Sequence, residues 1–123
     1  MTAPSIIIVD DDRATIGAIS GILREAGYAP TAHASGSNAL ADPRLETADL
    51  VISDWTNAPL GGLGLWQALQ ARPRPPKVIF LTAWAEEVEE LLGPPPGGPA
   101  ACLSKPFTRR QLLAAVKECL ESA

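Results

Sequence analysis

Apolar residues fall in short runs separated by helical stripes. Ile6 to Val9 is continuous and β-branched, as a strand buried on both faces should be. Leu50-Val51-Ile52, within a strand over about 48–53, and Val78-Ile79-Phe80-Leu81, within one over 77–81, have the same character. A fourth, weaker run covers Ala101 to Ser104. Between them the spacing turns helical. Ile16, Ile19, Ile22, Leu23 and Ala26 share one stripe over about 13–26, capped by Asp12 and stopped by Gly27. Tyr28 to Ala34 reads as a poor edge strand, because Pro30 brings no N–H. Ser35-Gly36-Ser37 opens a short helix that Pro43 interrupts.

A third helix is expected near 63–71, ended by Arg72-Pro73-Arg74-Pro75-Pro76. A fourth should begin near Glu86 on Val88, Leu91 and Leu92, and is cut short by the Gly93–Pro99 stretch. That stretch reads as a stiff loop rather than a polyproline surface offered to a partner. The last helix begins with a capping box, Thr108 and Gln111, and buries Leu112, Leu113, Val116, Cys119 and Leu120. Five β–α repeats imply an α/β fold, a parallel sheet with helices on both faces.

The 123 residues carry a net charge of −4 and no basic run, so direct nucleic-acid binding is not expected. Cys102 and Cys119 lack metal-ligand spacing and read as reduced thiols of a cytoplasmic protein. No stretch is long and apolar enough to cross a membrane. Trp55, Trp66 and Trp84 read as core or surface aromatics, and His33 as a strand-surface histidine that nothing in sequence pairs with.

The chemistry lies where the strands end. The first run is followed by Asp10-Asp11-Asp12, the third strand by Asp54, the fourth by Thr82 and the fifth by Lys105-Pro106. In parallel sheets ligands gather at the carboxyl edge of the strands. Clustered carboxylates raise one another's pKa unless a cation joins them, and hard oxygen donors suit Mg²⁺. Asp11 and Asp54 are the expected direct ligands, Asp10 helps directly or through water, and the Thr56 carbonyl is a further candidate. Asp54 can also act as a nucleophile and form an acyl phosphate. Lys105 can then neutralise one phosphoryl oxygen and Thr82 hydrogen-bond another, with small Ala83 leaving room.

In that order and spacing (43 residues from Asp11 to Asp54, 28 on to Thr82, 23 on to Lys105) the chain resembles the receiver domain of two-component response regulators. The resemblance implies a doubly wound, flavodoxin-like (βα)5 fold, strand order 2-1-3-4-5, an order the general rule for such sheets already attaches to this family. It implies a single receiver domain over 1–123, with no output domain after the last helix. It implies that Asp54 accepts a phosphoryl group from a sensor histidine kinase or a histidine phosphotransfer protein and switches contacts with an output partner. The implied chemistry is self-phosphorylation and autodephosphorylation rather than turnover of a separate substrate. The Lys105–Pro106 bond is expected to be cis, as in the family.

Three departures bear on output. Cys102 occupies the position where the family carries a switch aromatic. Helix four is short. The proline expected four residues after the acceptor comes five after, as Pro59, with Gly62 restoring register. A homodimer stays open, more through helices one and five than four and five. Trp84, two past Thr82, is expected to slow loss of the phosphoryl group by crowding the water's path. Three other readings compete: a haloacid-dehalogenase-type enzyme, which Ala14 and the lack of room for a cap domain oppose; a receiver-like module that binds constitutively; and a flavodoxin relative, whose phosphate the three acids would repel.

Overall fold

The computed structural model describes residues 4–56, 60–95 and 97–121. Five parallel strands, β1 (Ser5–Val9), β2 (Ala29–His33), β3 (Leu50–Asp54), β4 (Lys77–Thr82) and β5 (Ala101–Ser104), form one sheet of order β2-β1-β3-β4-β5. The helices are α1 (Arg13–Glu25), α2 (Gly36–Leu40), α3 (Gly61–Gln70), α4 (Ala85–Leu92) and α5 (Arg109–Glu121). The expected architecture is therefore present.

The two-residue period of each strand splits the core in two. Ile6, Ile8, Leu50, Ile52, Ile79 and Leu81 face α1 and α5, packing with Ile19, Leu23, Leu112 and Val116. Ile7, Val9, Val51, Val78 and Phe80 face the other way, onto Leu65 and Leu69 of α3 and Val88 of α4. The central strands are apolar over Ile6–Val9, Leu50–Ile52 and Val78–Leu81 because both faces are covered, and buried Ser53, Asp54 and Thr82 come only at the carboxyl ends.

Local signals account for most boundaries. Asp12 caps α1, accepting from the Ala14 N–H at 3.2 Å and the Thr15 hydroxyl at 2.6 Å. The capping box of α5 is reciprocal: Gln111 Oε1 accepts from the Thr108 N–H at 2.8 Å, and Thr108 Oγ1 from the Gln111 N–H at 3.1 Å. Helix α4 has eight residues and stops at Gly93, whose φ of 84° favours glycine. Its first residue is Ala85, one earlier than expected. Helix α3 begins at Gly61, two residues before the apolar stripe suggests. A 3-10 turn over Pro43–Thr47, which the sequence reading treats only as an interruption, carries Leu45 into the core.

Candidate functional site

Strand pairing brings the candidate residues to one edge. Val9 pairs with Ser53, Asp54 with Leu81, and Thr82 with Ser104. The ladder runs slightly past the strands. The N–H of Asp10 donates to the His33 carbonyl at 3.1 Å, that of Trp55 to the Leu81 carbonyl at 3.0 Å, and that of Lys105 to the Thr82 carbonyl at 2.8 Å. These bonds fix the backbone of residues on either side of Asp54.

Asp10, Asp11 and Asp54 each offer a carboxylate oxygen, and these oxygens lie within 4.8 Å of one another. Asp10 is 2% exposed. Its Oδ1 accepts from the Asp12 N–H at 2.9 Å, while its Oδ2 is buried without a hydrogen-bond partner. Burial raises the Asp10 pKa above the ordinary value; the Asp12 N–H opposes this and the Asp54 charge adds to it. Such an orphaned carboxylate oxygen calls for a cation or a proton. Asp11 is exposed at the mouth.

Asp54 is buried at the end of β3. Lys105 Nζ donates to its Oδ1 at 3.0 Å, and the Thr56 hydroxyl to its Oδ2 at 3.2 Å. The Lys105–Pro106 bond is cis, as expected. Thr82 is 2% exposed, and its hydroxyl oxygen accepts from the Trp84 N–H at 3.0 Å, which leaves the hydroxyl proton available to donate. Ala83 is exposed, and Trp84, two residues past Thr82, is 55% exposed. Cys102 packs on the α4 side of the sheet, half-buried, and its thiol is pushed up to about 11 by burial and then by the charge of Glu89. Pro59 lies outside the described residues.

The loop after Asp54 is pinned at its far end. The Gly62 N–H donates to the Trp55 carbonyl at 2.7 Å. A Cβ on Gly62 would lie 2.3 Å from the Trp55 ring and 2.6 Å from that carbonyl, so only glycine fits. Trp55 in turn stands edge-on to Phe80, with centroids 5.0 Å apart. Trp55 and Trp66 are thus core aromatics, and Trp84 is a surface one.

His33 does have a partner, and the sequence reading missed it. Its Nε2 lies 2.8 Å from Asp42 Oδ2. Asp42 also accepts from the Arg44 N–H at 2.9 Å and from Arg44 Nε at 3.0 and 3.1 Å. The Arg44 guanidinium beside it, then the Arg44 N–H, then His33 hold the Asp42 carboxyl well below the usual carboxylate range. Nine residues separate His33 from Asp42, across a helix and a turn, with no periodic pattern to link them. Only an acid at an N-cap, before Pro43, was there to be noticed.

An acid pocket joined to a lysine-bound aspartate, at the carboxyl edge of a 2-1-3-4-5 sheet, marks a receiver domain of two-component signalling. The chain belongs to the response regulator receiver domain family, whose profile matches residues 6–117. It is 29% identical over 116 residues to the sensory transduction protein RegX3 of Mycolicibacterium smegmatis, covering 94% of this chain and 50% of that protein. It is 32% identical to the transcriptional regulatory protein BaeR of Escherichia coli, covering 95% and 48% respectively. The chain thus spans about half the length of these relatives. Among solved structures, it superimposes on the receiver domain of the Pseudomonas aeruginosa sensor histidine kinase PA1611 with a TM-score of 0.83. Identity there is 25%, over 98% of this chain and all of that one, and that structure has a magnesium ion coordinated in its active-site cleft. A CheY-like receiver from Methanospirillum hungatei is 30% identical, with a TM-score of 0.80 and coverage of 98% and 95%. No helix among the described residues is long and apolar enough to cross a membrane.

Proposed function

We propose that this chain is a phosphoacceptor: Asp54 takes a phosphoryl group from a phosphohistidine of a partner kinase or phosphotransfer protein, with Mg²⁺ in the acid pocket. The observation that carries the reading is the ammonium of Lys105 on Asp54 Oδ1 at 3.0 Å, with the carboxylates of Asp10 and Asp11 clustered on the same Asp54.

The donor set fits a hard divalent ion. Asp10, Asp11 and Asp54 supply oxygens within 4.8 Å of one another, and Asp10 has a buried, unsatisfied Oδ2. The Thr56 carbonyl is a further candidate ligand, and waters complete the set. Bound there, Mg²⁺ supplies positive charge against the phosphoryl oxygens.

This chain's own residues do the rest. An Asp54 oxygen attacks phosphorus in line, an O–P bond forms, the P–N bond breaks, and its electron pair leaves on the imidazole nitrogen. Lys105 is already within reach of the acceptor and moves to a phosphoryl oxygen as charge develops there. Thr82 donates its free hydroxyl proton to another. Ala83 adds no bulk. Water later attacks the acyl phosphate and releases phosphate, a step that Trp84 crowds. The domain processes no substrate besides its own phosphoryl group.

Output is specialised. A threonine-to-aromatic switch has no aromatic to move, because Cys102 stands there. With α4 ended at Gly93, the output partner reads a shortened helix. The partners are a phosphohistidine donor and an output protein or domain, without direct nucleic-acid contact by these residues and without a membrane. The compartment is cytoplasmic.

Incubation with Mg²⁺ and acetyl phosphate, followed by intact-mass measurement, tests the reading. One added phosphoryl group is expected on the wild type and none on Asp54→Asn or in a chelated sample. No adduct on the wild type, even with beryllofluoride, would sink the phosphoacceptor reading in favour of a constitutive binding module.

A further inference from the structure

We propose that Asp42 is a positioning residue for the acid pocket: clamped to Arg44 and His33, it holds the end of β2 so that the His33 carbonyl fixes the backbone of Asp10. The inference rests on the reading of Asp10, Asp11 and Asp54 as a Mg²⁺ site.

Strand β2 is a poor support on its own sequence. Ala29-Pro30-Thr31-Ala32-His33 offers one β-branched residue, Pro30 gives no N–H, and among the described residues the strand pairs only with β1. Weak edge strands open locally at low cost. Yet the last residue of this one supplies the acceptor for the Asp10 N–H. If β2 frays from its carboxyl end, Asp10 loses the bond that sets its backbone.

The clamp meets that weakness at the right place. Thr31 and His33 are two apart, so they leave the strand on the same side. Arg44 Nη1 lies 3.3 Å from Thr31 Oγ1, and Asp42 Oδ2 lies 2.8 Å from His33 Nε2. Asp42 and Arg44 join each other through Nε, Nη2 and the backbone N–H, the Nη2 contact being 3.0 Å. The Asp42 side chain is 4% exposed, although that of Arg44 is 62% exposed. A bidentate guanidinium on a covered carboxylate is a stiffer tie than an exposed ion pair. Its base is firm as well, because Leu45, between Arg44 and Glu46, is 1% exposed in the core.

The chain of contacts is therefore continuous. Asp42 holds His33, the His33 carbonyl holds the Asp10 N–H, and Asp10 brings a carboxylate oxygen to the cluster with Asp11 and Asp54. Outer partners of ligating groups typically govern metal affinity by 10–100-fold.

Calorimetric titration with MgCl₂ at neutral pH, well below the melting temperature, tests this on the wild type, Asp42→Asn and Val116→Ala. The last truncates the core in α5 and lowers stability without touching β2. The expected result is a Mg²⁺ affinity weakened about tenfold in Asp42→Asn, with Val116→Ala unchanged. Amide exchange should show the Asp10 N–H losing protection in Asp42→Asn while those of Ile7 and Val9, which face β3, keep theirs. Should circular dichroism show Asp42→Asn unfolded, Arg44→Gln carries the same measurements, with a smaller loss in the same direction. Wild-type affinity in the clamp variant, or an equal loss in Val116→Ala, overturns the proposal while leaving the site intact. A wild type that binds no Mg²⁺ overturns the site itself, and the clamp's role with it.

Discussion

The two edges of the sheet are finished in different ways. The β2 edge is tied down by charge, through Thr31, His33, Asp42 and Arg44, and the turn behind it is anchored by Leu45. The β5 edge is four residues long, none of them fully buried, and beside it lies a groove walled by Glu86, Glu89, Pro94, Pro99 and Cys102. The first edge borders the acids and the second borders the lysine and the hydroxyl. Metal ligands need fixed backbone, because a carboxylate displaced by a fraction of an ångström binds poorly. The contrast teaches that one small sheet can be stiff at one margin and open at the other.

The largest expected effect is on stability. Leu45→Ala at the β2 edge should cost about 2–5 kcal/mol, as buried leucine truncations do. Cys102→Ala at the β5 edge should cost about 1 kcal/mol, since one partly exposed sulfur is lost. Urea denaturation of the two variants side by side measures the difference. Equal losses would erase the distinction between the edges.

Next comes the chemistry of Cys102. With its thiol pushed up to about 11, from an ordinary value of 9.0, roughly a hundredth of the usual thiolate is present at neutral pH. Iodoacetamide should therefore label Cys102 far more slowly than free cysteine, followed by peptide mass at fixed times. Fast labelling would mean that the groove opens more widely than the structure shows.

The pH dependence sharpens the other edge. Asp42 has a folded pKa below its unfolded value near 3.8, so it contributes stability above about pH 4 that is lost as pH falls through that range and lower. Wild type should outlast Asp42→Asn at pH 6, with the gap in melting temperature closing between about pH 4 and pH 2. A gap independent of pH would show that the carboxylate charge is not what holds β2. The smallest effect concerns Trp84. Trp84→Ala should shorten the lifetime of the phosphoryl group on Asp54, measured by phosphate release; an unchanged or longer lifetime would refute the crowding by Trp84.

Much of this fold was legible beforehand, for a physical reason. Strands buried on both faces read as near-continuous apolar runs, and β1, β3 and β4 announce themselves that way up to their polar carboxyl ends. Caps such as Asp12, and Thr108 with Gln111, act within a few residues and so appear as local patterns. The candidate site was readable too, since Asp10, Asp11, Asp54, Thr82 and Lys105 each close a readable strand. What stayed hidden was non-local. The partnership of His33 with Asp42 exists only because α2 turns the chain back toward β2, and the 3-10 turn over 43–47 has too few residues for any periodicity to show. The early start of α3 was hidden for another reason: Gly61 and Gly62 look like loop residues until Trp55 is seen packed against Gly62.

That packing limits how the chain can vary. Of the two obstacles facing a side chain at position 62, the Trp55 ring could be traded for something smaller, but the carbonyl of residue 55 belongs to every amino acid. The two positions are therefore unequal partners. A library randomised at both, selected for folded protein, should return several residues at 55 and glycine alone at 62.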